Sequence, residues 1–163
     1  MHTRAAGKQD AETIARIYNE GIEERIATFE TRPRTAGDIE AWFDSGYPII
    51  VVERDGIVVA FANTSAYSTR ECYAGVAEFS VYTAAEARGR GAGTLAMEAL
   101  ISAAEKAGLW KLTSRVFVEN ESSRRLLLTL DFREVGVYEK HARLDGHWRD
   151  VVVVERLIPA NLS

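Results

Sequence analysis

Two Asp-Gly dipeptides constrain the fold of this chain more than any other feature. Asp55-Gly56 divides the apolar, β-branched run "YPIIVVERDGIVVAFANTSAY", and Asp145-Gly146 separates residues 133–144 from residues 147–157. An Asp-Gly pair between two such runs is a strong signal for a β-hairpin with a two-residue turn. We therefore predict two antiparallel hairpins. They exclude a nearly all-parallel, doubly wound sheet.

Helical patterns fill much of the chain between these hairpins and before them. Residues 10–24 and residues 91–107 repeat apolar side chains at helical spacing, and a glycine follows the second segment. A Thr-x-x-Asp capping pattern at Thr35 and Asp38 predicts a short helix between the first long helix and the first hairpin.

The remaining elements complete an alternating order. Residues 76–82, "VAEFSVY", read as a strand, and "LWKLTSRVFVEN" reads as a strand that ends at Asn120. The short helix "SSRRLLLTL" follows, capped from Asn120 or Ser122. Together these elements predict an α+β fold, with a mixed central sheet of about seven strands flanked by about four helices. No linker or repeat interrupts the chain, so we expect one domain over residues 1–163.

A glycine-rich loop joins the middle strand to the long second helix. Its sequence is Arg88-Gly89-Arg90-Gly91-Ala92-Gly93. Unpaired N–H groups at a helix N-terminus form an anion site, and glycines let a phosphate approach the backbone. A P-loop requires a lysine that is absent here. A Rossmann fingerprint requires a third glycine where Thr94 stands, in the first strand–helix unit.

Charge and cysteine content exclude several other functions. The formal net charge of −4 argues against a protein that coats nucleic acid, and glycines at a strand–helix junction do not suit a disordered Arg-Gly RNA-binding patch. No apolar run reaches the ~20 residues of a membrane span, and the first residues lack the apolar core of a signal peptide. The single cysteine, Cys72, fits a reducing compartment. We expect a cytoplasmic protein without nucleic-acid or membrane partners.

The loop also matches the pattern Arg/Gln-x-x-Gly-x-Gly/Ala, and with its surroundings it resembles the GCN5-related N-acetyltransferases. The loop follows "SVYT" and precedes "VENESSRRLLLTLDF" by about thirty residues, as in that superfamily, and the resemblance extends over residues 3–157. The segments "IYNEGIEERIATFETRP", "TRECYAGVAEFSVY" and "LDGHWRDVVVVERL" look most like the phosphinothricin and methionine-sulfoximine acetyltransferases. "KHARLDGHWRDVVVVERL" is most similar to the arsinothricin N-acetyltransferases.

The resemblance implies an acetyl-CoA-dependent enzyme that needs no metal. Such an enzyme acetylates the α-amine of a small amino acid with a tetrahedral anionic or oxidised head group, and so detoxifies an antimetabolite by direct transfer. The backbone at Tyr82 would polarise the thioester carbonyl, which makes Tyr82 catalytic. The implied cofactor-binding residues are Val81, Tyr82, Thr83, Arg88, Gly89, Arg90, Gly91, Ala92, Gly93, Thr94, Asn120 and Ser123.

Glu78 is the candidate general base. It is a carboxylate inside an apolar strand, where burying a charge without purpose is costly, and the family's proposed base falls at this position. The alternative is that strand alternation places Glu78 on a solvated face.

A substrate pocket is implied around Glu78. Arg70, eight residues earlier, matches a family arginine that would grip an anionic substrate group, although most loop arginines are simply solvated. The implied substrate-binding residues are Phe29, Ser68, Thr69, Arg70, Tyr73, Glu78, Phe79 and Ser80.

Other residues depart from the family pattern or suggest other chemistry. Leu127 stands where many relatives carry a tyrosine, or in the phosphinothricin group a histidine, as acid for the departing thiolate. The thiolate either leaves without that acid or is protonated by another group. His141 and His147 flank Asp145-Gly146, but no third ligand suggests a metal site. Cys72 lacks the partners of a catalytic thiol.

Two further functions remain open. The chain is either an acetyltransferase for another amine, such as a protein N-terminus or a polyamine, or a CoA-binding module without turnover. The phosphinothricin group also implies a homodimer, to which the apolar segment "DVVVVERLI" adds weak support.

Overall fold

The computed structural model describes all 163 residues and has a seven-stranded mixed sheet with four α-helices. The α+β prediction is confirmed. The sheet order is β1-β2-β3-β4-β5-β7-β6. The strands are β1 (His2–Ala5), β2 (Ile49–Arg54), β3 (Ile57–Ala66), β4 (Val76–Thr83), β5 (Lys111–Phe117), β6 (Arg133–Leu144) and β7 (His147–Leu157). The helices are α1 (Ala11–Glu24), α2 (Ala36–Glu40), α3 (Ala92–Lys106) and α4 (Glu121–Thr129).

Both predicted hairpins are present. β2 pairs with β3 and β6 pairs with β7, each antiparallel. Asp55 and Gly56 have φ of 53° and 77°, and Asp145 and Gly146 have φ of 52° and 79°. Positive φ at both central residues is the requirement of the turn that matches strand twist, and aspartate with glycine tolerates it best.

Side-chain caps set where the short helices begin. Thr35 accepts from the Asp38 N–H and Asp38 accepts from the Thr35 N–H, so the predicted capping box forms. Asn120 caps α4 by accepting from the Ser123 N–H at 3.3 Å, which decides between Asn120 and Ser122. β5 ends earlier than predicted, at Phe117, because the chain then turns into α4, with the Asn120 N–H donating to the Phe117 carbonyl oxygen at 2.9 Å.

The sheet divides between β4 and β5. These parallel strands pair through three residue pairs, from Val76–Lys111 to Glu78–Thr113. Beyond Glu78, β4 continues to Thr83 paired with β3, and β5 continues to Phe117 paired with β7. The facing edges of the two strands therefore carry backbone groups without a strand partner, which can bind an extended ligand as an added strand does.

The core lies under the first half of the sheet. α1 and α3 both pack against β3 and β4, and their fully buried side chains Ile14, Ile17, Met97 and Leu100 belong to the same core cluster as Phe61. This packing fixes the end of α1 and the start of α3 beside the C-terminal half of β4. None of the helices has the length and apolar character needed to cross a membrane.

Candidate active site

A wide cleft of about 470 Å³ opens where β4 and β5 part. Residues 78–82 of β4 and 114–117 of β5 form two of its walls, and residues 27–30, which follow α1, form a third. The cleft has a polar and an apolar side, since Glu78 and Arg115 line it together with Phe29 and Phe117. We call it the wide cleft.

A second cleft of about 340 Å³ lies over the glycine-rich loop, and we call it the loop cleft. It shares five residues with the wide cleft, so the two clefts meet at the end of β4 and the start of α4. The shared residues are Ala27, Val81, Tyr82, Asn120 and Ser123. Every predicted cofactor-binding residue lines the loop cleft except Arg90, whose side chain is exposed outside it.

The glycine-rich loop leaves an open anion site at the start of α3. Gly89 and Gly91 have φ of 76° and 86°, and a Cβ on either would meet no atom within 4 Å. Gly91 is the N-cap of α3 and no side chain caps that end, so the first N–H groups of the helix have no partner there. This open, positively polarised helix end fits the pyrophosphate of acetyl-CoA.

Arg88 holds the loop in place. Its guanidinium donates to both carboxylate oxygens of Glu24, at the end of α1, and to the Thr83 carbonyl oxygen at 3.2 Å. The hydrogen bond to Glu24 raises the pKa of Arg88 above its usual value. The side chain therefore ties α1, β4 and the loop together.

Tyr82 forms the wall between the clefts. Its ring stacks on Phe61 at 5.4 Å and lies 5.1 Å from the Tyr18 ring. Burial raises the pKa of the Tyr82 phenol, so the phenol stays protonated. A Cβ on Gly21 would lie 2.7 Å from this ring, so α1 needs a glycine there. The side chain is a wall, and the backbone is the part of Tyr82 available to a ligand.

Glu78 is partly exposed, and its side chain faces the wide cleft instead of a solvated face of the sheet away from it. It is the last β4 residue paired with β5, and it lines the wide cleft. Its Oε1 accepts a hydrogen bond from Arg115 Nη2 at 2.9 Å. The side chains of Glu78 and Arg115 keep 37% and 46% of their surface exposed, so a substrate can reach both.

The predicted substrate-binding residues divide into two groups. Phe29, Glu78, Phe79 and Ser80 line the wide cleft, and the Phe29 ring packs on Phe117 at 4.6 Å. Ser68, Thr69, Arg70 and Tyr73 do not line it. The loop that carries them places Arg70 in solvent, with its guanidinium 5.6 Å from the Tyr73 ring centre.

Tyr73 lines a neighbouring groove of about 440 Å³. Tyr67, Val135 and Tyr138 line the same groove, and all four side chains are exposed. Val135 and Tyr138 belong to β6, the edge strand, so we call this the β6 groove. Glu78 and Arg115 line both the β6 groove and the wide cleft, and thus stand between them.

Arg115 lines the wide cleft and was missed by the sequence analysis, and two residues named there for other reasons line it as well. Arg115 is the one charged residue in the apolar strand segment "LTSRVFV", as Glu78 is in "VAEFSVY". A single charge in an apolar strand was the only sequence feature that pointed to a role for Arg115 in the site. Leu127 lines the wide cleft, buried. His141 reaches the same cleft from an irregular part of β6 between Tyr138 and Ala142. No group of three His, Cys, Asp or Glu side chains is arranged to hold a metal ion.

Comparison with known proteins identifies the family. The model of the Acetyltransferase (GNAT) family matches residues 14–132. The chain belongs to this family. It is therefore an acetyl-CoA-dependent N-acetyltransferase, and the GNAT loop pattern coincides with the open helix end described above.

Relatives of this GNAT protein carry informative names. It is 29% identical to the phosphinothricin N-acetyltransferase of Streptomyces coelicolor, covering 96% of this chain and 95% of that one. It is 30% identical to the L-methionine sulfoximine/L-methionine sulfone acetyltransferase of Pseudomonas paraeruginosa, covering 93% and 91%.

Solved GNAT structures share the whole fold. A phosphinothricin acetyltransferase from Sinorhizobium meliloti in complex with acetyl-CoA has a TM-score of 0.89 and 27% identity, covering 96% of this chain and 87% of that one. A ribosomal-protein-alanine N-acetyltransferase from Brucella melitensis has a TM-score of 0.92 and 26% identity, covering 97% and 100%.

Proposed function

We propose that residues 1–163 form one N-acetyltransferase domain that acetylates the α-amine of a small amino-acid antimetabolite. The proposed substrates are arsinothricin, phosphinothricin and methionine sulfoximine, and acetylation would confer resistance to them. One observation carries the proposal: the loop cleft, which is shaped for the cofactor's pyrophosphate, opens into the wide cleft, which Glu78 lines and which is large enough for a small amino acid. The names of the relatives point to the same substrates.

The proposed mechanism uses residues of both clefts. The loop cleft holds acetyl-CoA, which supplies the acetyl group, and the unpaired edge of β4 binds its arm as a strand would. The N–H near Tyr82 donates to the thioester oxygen as negative charge develops there. Glu78, directly or through a water, would remove a proton from the substrate ammonium, so that the neutral amine can attack the thioester carbonyl carbon. The C–N bond forms, the C–S bond breaks to release the thiolate, and the nitrogen loses a second proton to solvent. Leu127 cannot protonate the thiolate, whose modest basicity allows it to leave as the anion.

A protein N-terminus is the second candidate substrate. The Brucella melitensis structure, whose name specifies a ribosomal-protein alanine, is as similar in fold as the phosphinothricin enzyme. A polyamine is the third candidate substrate. The acidic net charge of −4 and the cleft carboxylates Glu30 and Glu78 suit a polyamine, whereas the Arg115 guanidinium in the same cleft would repel it.

Thiol release from acetyl-CoA tests these candidates together. The panel contains the three amino acids named above, an alanine-terminated peptide and spermidine. We expect release with at least one of the amino acids and none with the peptide or spermidine. Release with the peptide or spermidine alone would replace the proposed substrate class. Acetyl-CoA binding without thiol release with any of these compounds would overturn all three substrate proposals.

We further propose that the protein is a cytoplasmic homodimer. The β6 groove supports the dimer, because exposed apolar side chains on an edge strand are a typical contact surface. The exposed free thiol of Cys72 supports a reducing compartment.

A further inference from the structure

The wide cleft contains one permanently charged cation, and it is Arg115. Its guanidinium has a single hydrogen bond to protein, to Glu78, although it carries five N–H donors. The arginine that the resemblance implied for substrate binding, Arg70, lies outside the cleft. Arg115 is therefore free to hold an anionic group directly beside the proposed base.

We propose that Arg115 binds the α-carboxylate of the substrate and makes the enzyme select free α-amino acids. The inference rests on the proposed function. Glu78 and Arg115 form a pair of opposite charges 2.9 Å apart. An α-amino acid carries its ammonium and its carboxylate on one carbon, a matching pair at a similar separation. The tetrahedral head group lies further along a flexible chain, so the α-carboxylate is the anion that the substrate holds closest to its amine.

The geometry assigns complementary roles to the two side chains. The substrate ammonium lies against Glu78, and its carboxylate accepts two N–H bonds from the free edge of the guanidinium. Glu78 then takes one ammonium proton while Arg115 keeps the carboxylate in place. Arg115 is thus a substrate-binding residue that orients the amine toward the end of β4, where the clefts meet.

A purely structural role for this ion pair is the weaker explanation. Both side chains are more than a third exposed, and pairs of that kind contribute little to folding. The two strands that carry them are already joined by backbone pairing up to Glu78. A role in recognition gives the pair a reason to lie in the cleft.

The assignment also separates the candidate substrates. A peptide N-terminus has a neutral amide on the α-carbon, and a polyamine has no acid group there. Neither substrate would place an anionic group against the Arg115 guanidinium when its amine lies at Glu78. The same residue that binds an amino acid therefore discriminates against the other two classes.

The test compares an amino acid with its α-carboxamide. Wild type, Arg115→Gln, Arg115→Lys, Arg70→Gln and Arg125→Gln are assayed with phosphinothricin, methionine sulfoximine and the carboxamide of each. The measured quantity is kcat/KM for the amino acid divided by kcat/KM for its α-carboxamide, which we call the acid/amide ratio. The lower basicity of the carboxamide's amine is the same for every variant, so changes in the ratio between variants report on the protein.

We expect the acid/amide ratio to fall by about 10- to 100-fold in Arg115→Gln, the size of a hydrogen bond to a charged group. The loss should appear in the amino-acid KM, with the acetyl-CoA KM unchanged, and Arg115→Lys should restore part of it. Arg125 is exposed on α4 outside the clefts, so Arg125→Gln should keep the wild-type ratio.

Three results would overturn the inference. An unchanged ratio in Arg115→Gln would show that another group reads the carboxylate, and a ratio lost in Arg70→Gln alone would identify that group. A wild type that accepts acid and amide equally well would show that no residue reads it. A wild type inactive with all of these compounds and with arsinothricin would overturn the proposed function itself, and this inference with it.

Discussion

At the residue scale, the position of Glu78 determines what it can do. It stands at the last paired step of β4, where the facing edge of the strand becomes free, and its carboxylate is accessible from the cleft. A base must reach the amine and later release its proton to solvent, and partial exposure allows both. A fully buried carboxylate would fail at the second step.

Replacing Glu78 with glutamine should therefore remove the base and keep the shape. We expect kcat to fall by about 10²- to 10⁴-fold, the usual contribution of a positioned base, while acetyl-CoA binding remains. Higher pH should partly restore the rate, because more of the substrate amine is then neutral. Steady-state kinetics and calorimetry measure the two effects. Glu98→Gln, on the exposed side of α3, is the matched control. Full activity of Glu78→Gln near neutral pH would exclude Glu78 from the mechanism.

Site residues were predictable from the sequence to the degree that a local pattern marks them. The glycine-rich loop and Asn120 have local signatures, and nearly all the residues that the resemblance supplied around them line one cleft. Arg70 was inferred from its offset along the chain, and an offset does not fix the direction of a loop. Arg115 was missed because its proximity to Glu78 depends on the pairing of β4 with β5, which no local pattern shows.

At the element scale, the junction of the glycine-rich loop and α3 needs a glycine for two reasons, one set by backbone conformation and one set by ligand binding. Gly91 has left-handed backbone and also leaves space where a ligand would lie. Element boundaries were predictable where a glycine, an Asp-Gly turn or a capping box marks them. The end of β5 was not, because Asn120 is equally compatible with ending a strand and capping a helix.

Gly91→Val should weaken acetyl-CoA binding by at least about tenfold while the fold survives. The valine side chain enters the anion site, and its strained backbone shifts the first N–H groups of α3. Gly46→Val separates these effects, since Gly46 has nearly the same φ, 78°, and open space, but lies far from both clefts. Both variants should lose similar stability on thermal unfolding. Calorimetry that finds wild-type affinity in Gly91→Val would show that the cofactor binds elsewhere.

At the scale of the whole molecule, the edges of the sheet are protected differently. Edge strand β1 is held by Arg4, which donates to both carboxylate oxygens of buried Asp10 at 2.8 Å and to Glu53 on β2 at 2.6 Å. At the opposite edge, β6 exposes apolar side chains. One edge is thus tied by charges within the chain, and the other is available for a partner.

The Arg4–Asp10 pair should make stability depend on acidic pH. The hydrogen bonds from Arg4 hold the pKa of Asp10 below its usual value of about 4. A lowered folded-state pKa stabilises the protein above that pH, and the contribution is lost as the pH falls through the folded-state value. Asp10→Asn should therefore cost about 2 kcal/mol at pH 7.

The difference between wild type and Asp10→Asn should shrink below about pH 4. Urea unfolding at several pH values measures it. Asp44→Asn, at an exposed site, should stay within about 0.5 kcal/mol of wild type throughout. A difference that is the same at pH 3 and pH 7 would contradict the assignment.

The exposed β6 edge should determine the oligomeric state. If a second copy covers the β6 groove, light scattering should give twice the 18.1 kDa chain mass, and Tyr138→Asp should give the single-chain mass. Ile57→Asp introduces the same charge at an exposed apolar position away from this groove, and should leave the dimer intact. A monomeric wild type at assay concentration would rule out the dimer.

The short pairing between β4 and β5 also has a mechanical consequence. Three residue pairs join strands β1–β4 to strands β5–β7, so the protein can open along this seam more easily than elsewhere in the sheet. A ligand that binds along the free edges of β4 and β5 connects the two halves of the sheet. At one hundred times its Kd it adds about 2.7 kcal/mol to global stability. Slower amide hydrogen exchange should then spread beyond the residues it touches, because both halves of the sheet become one cooperative unit.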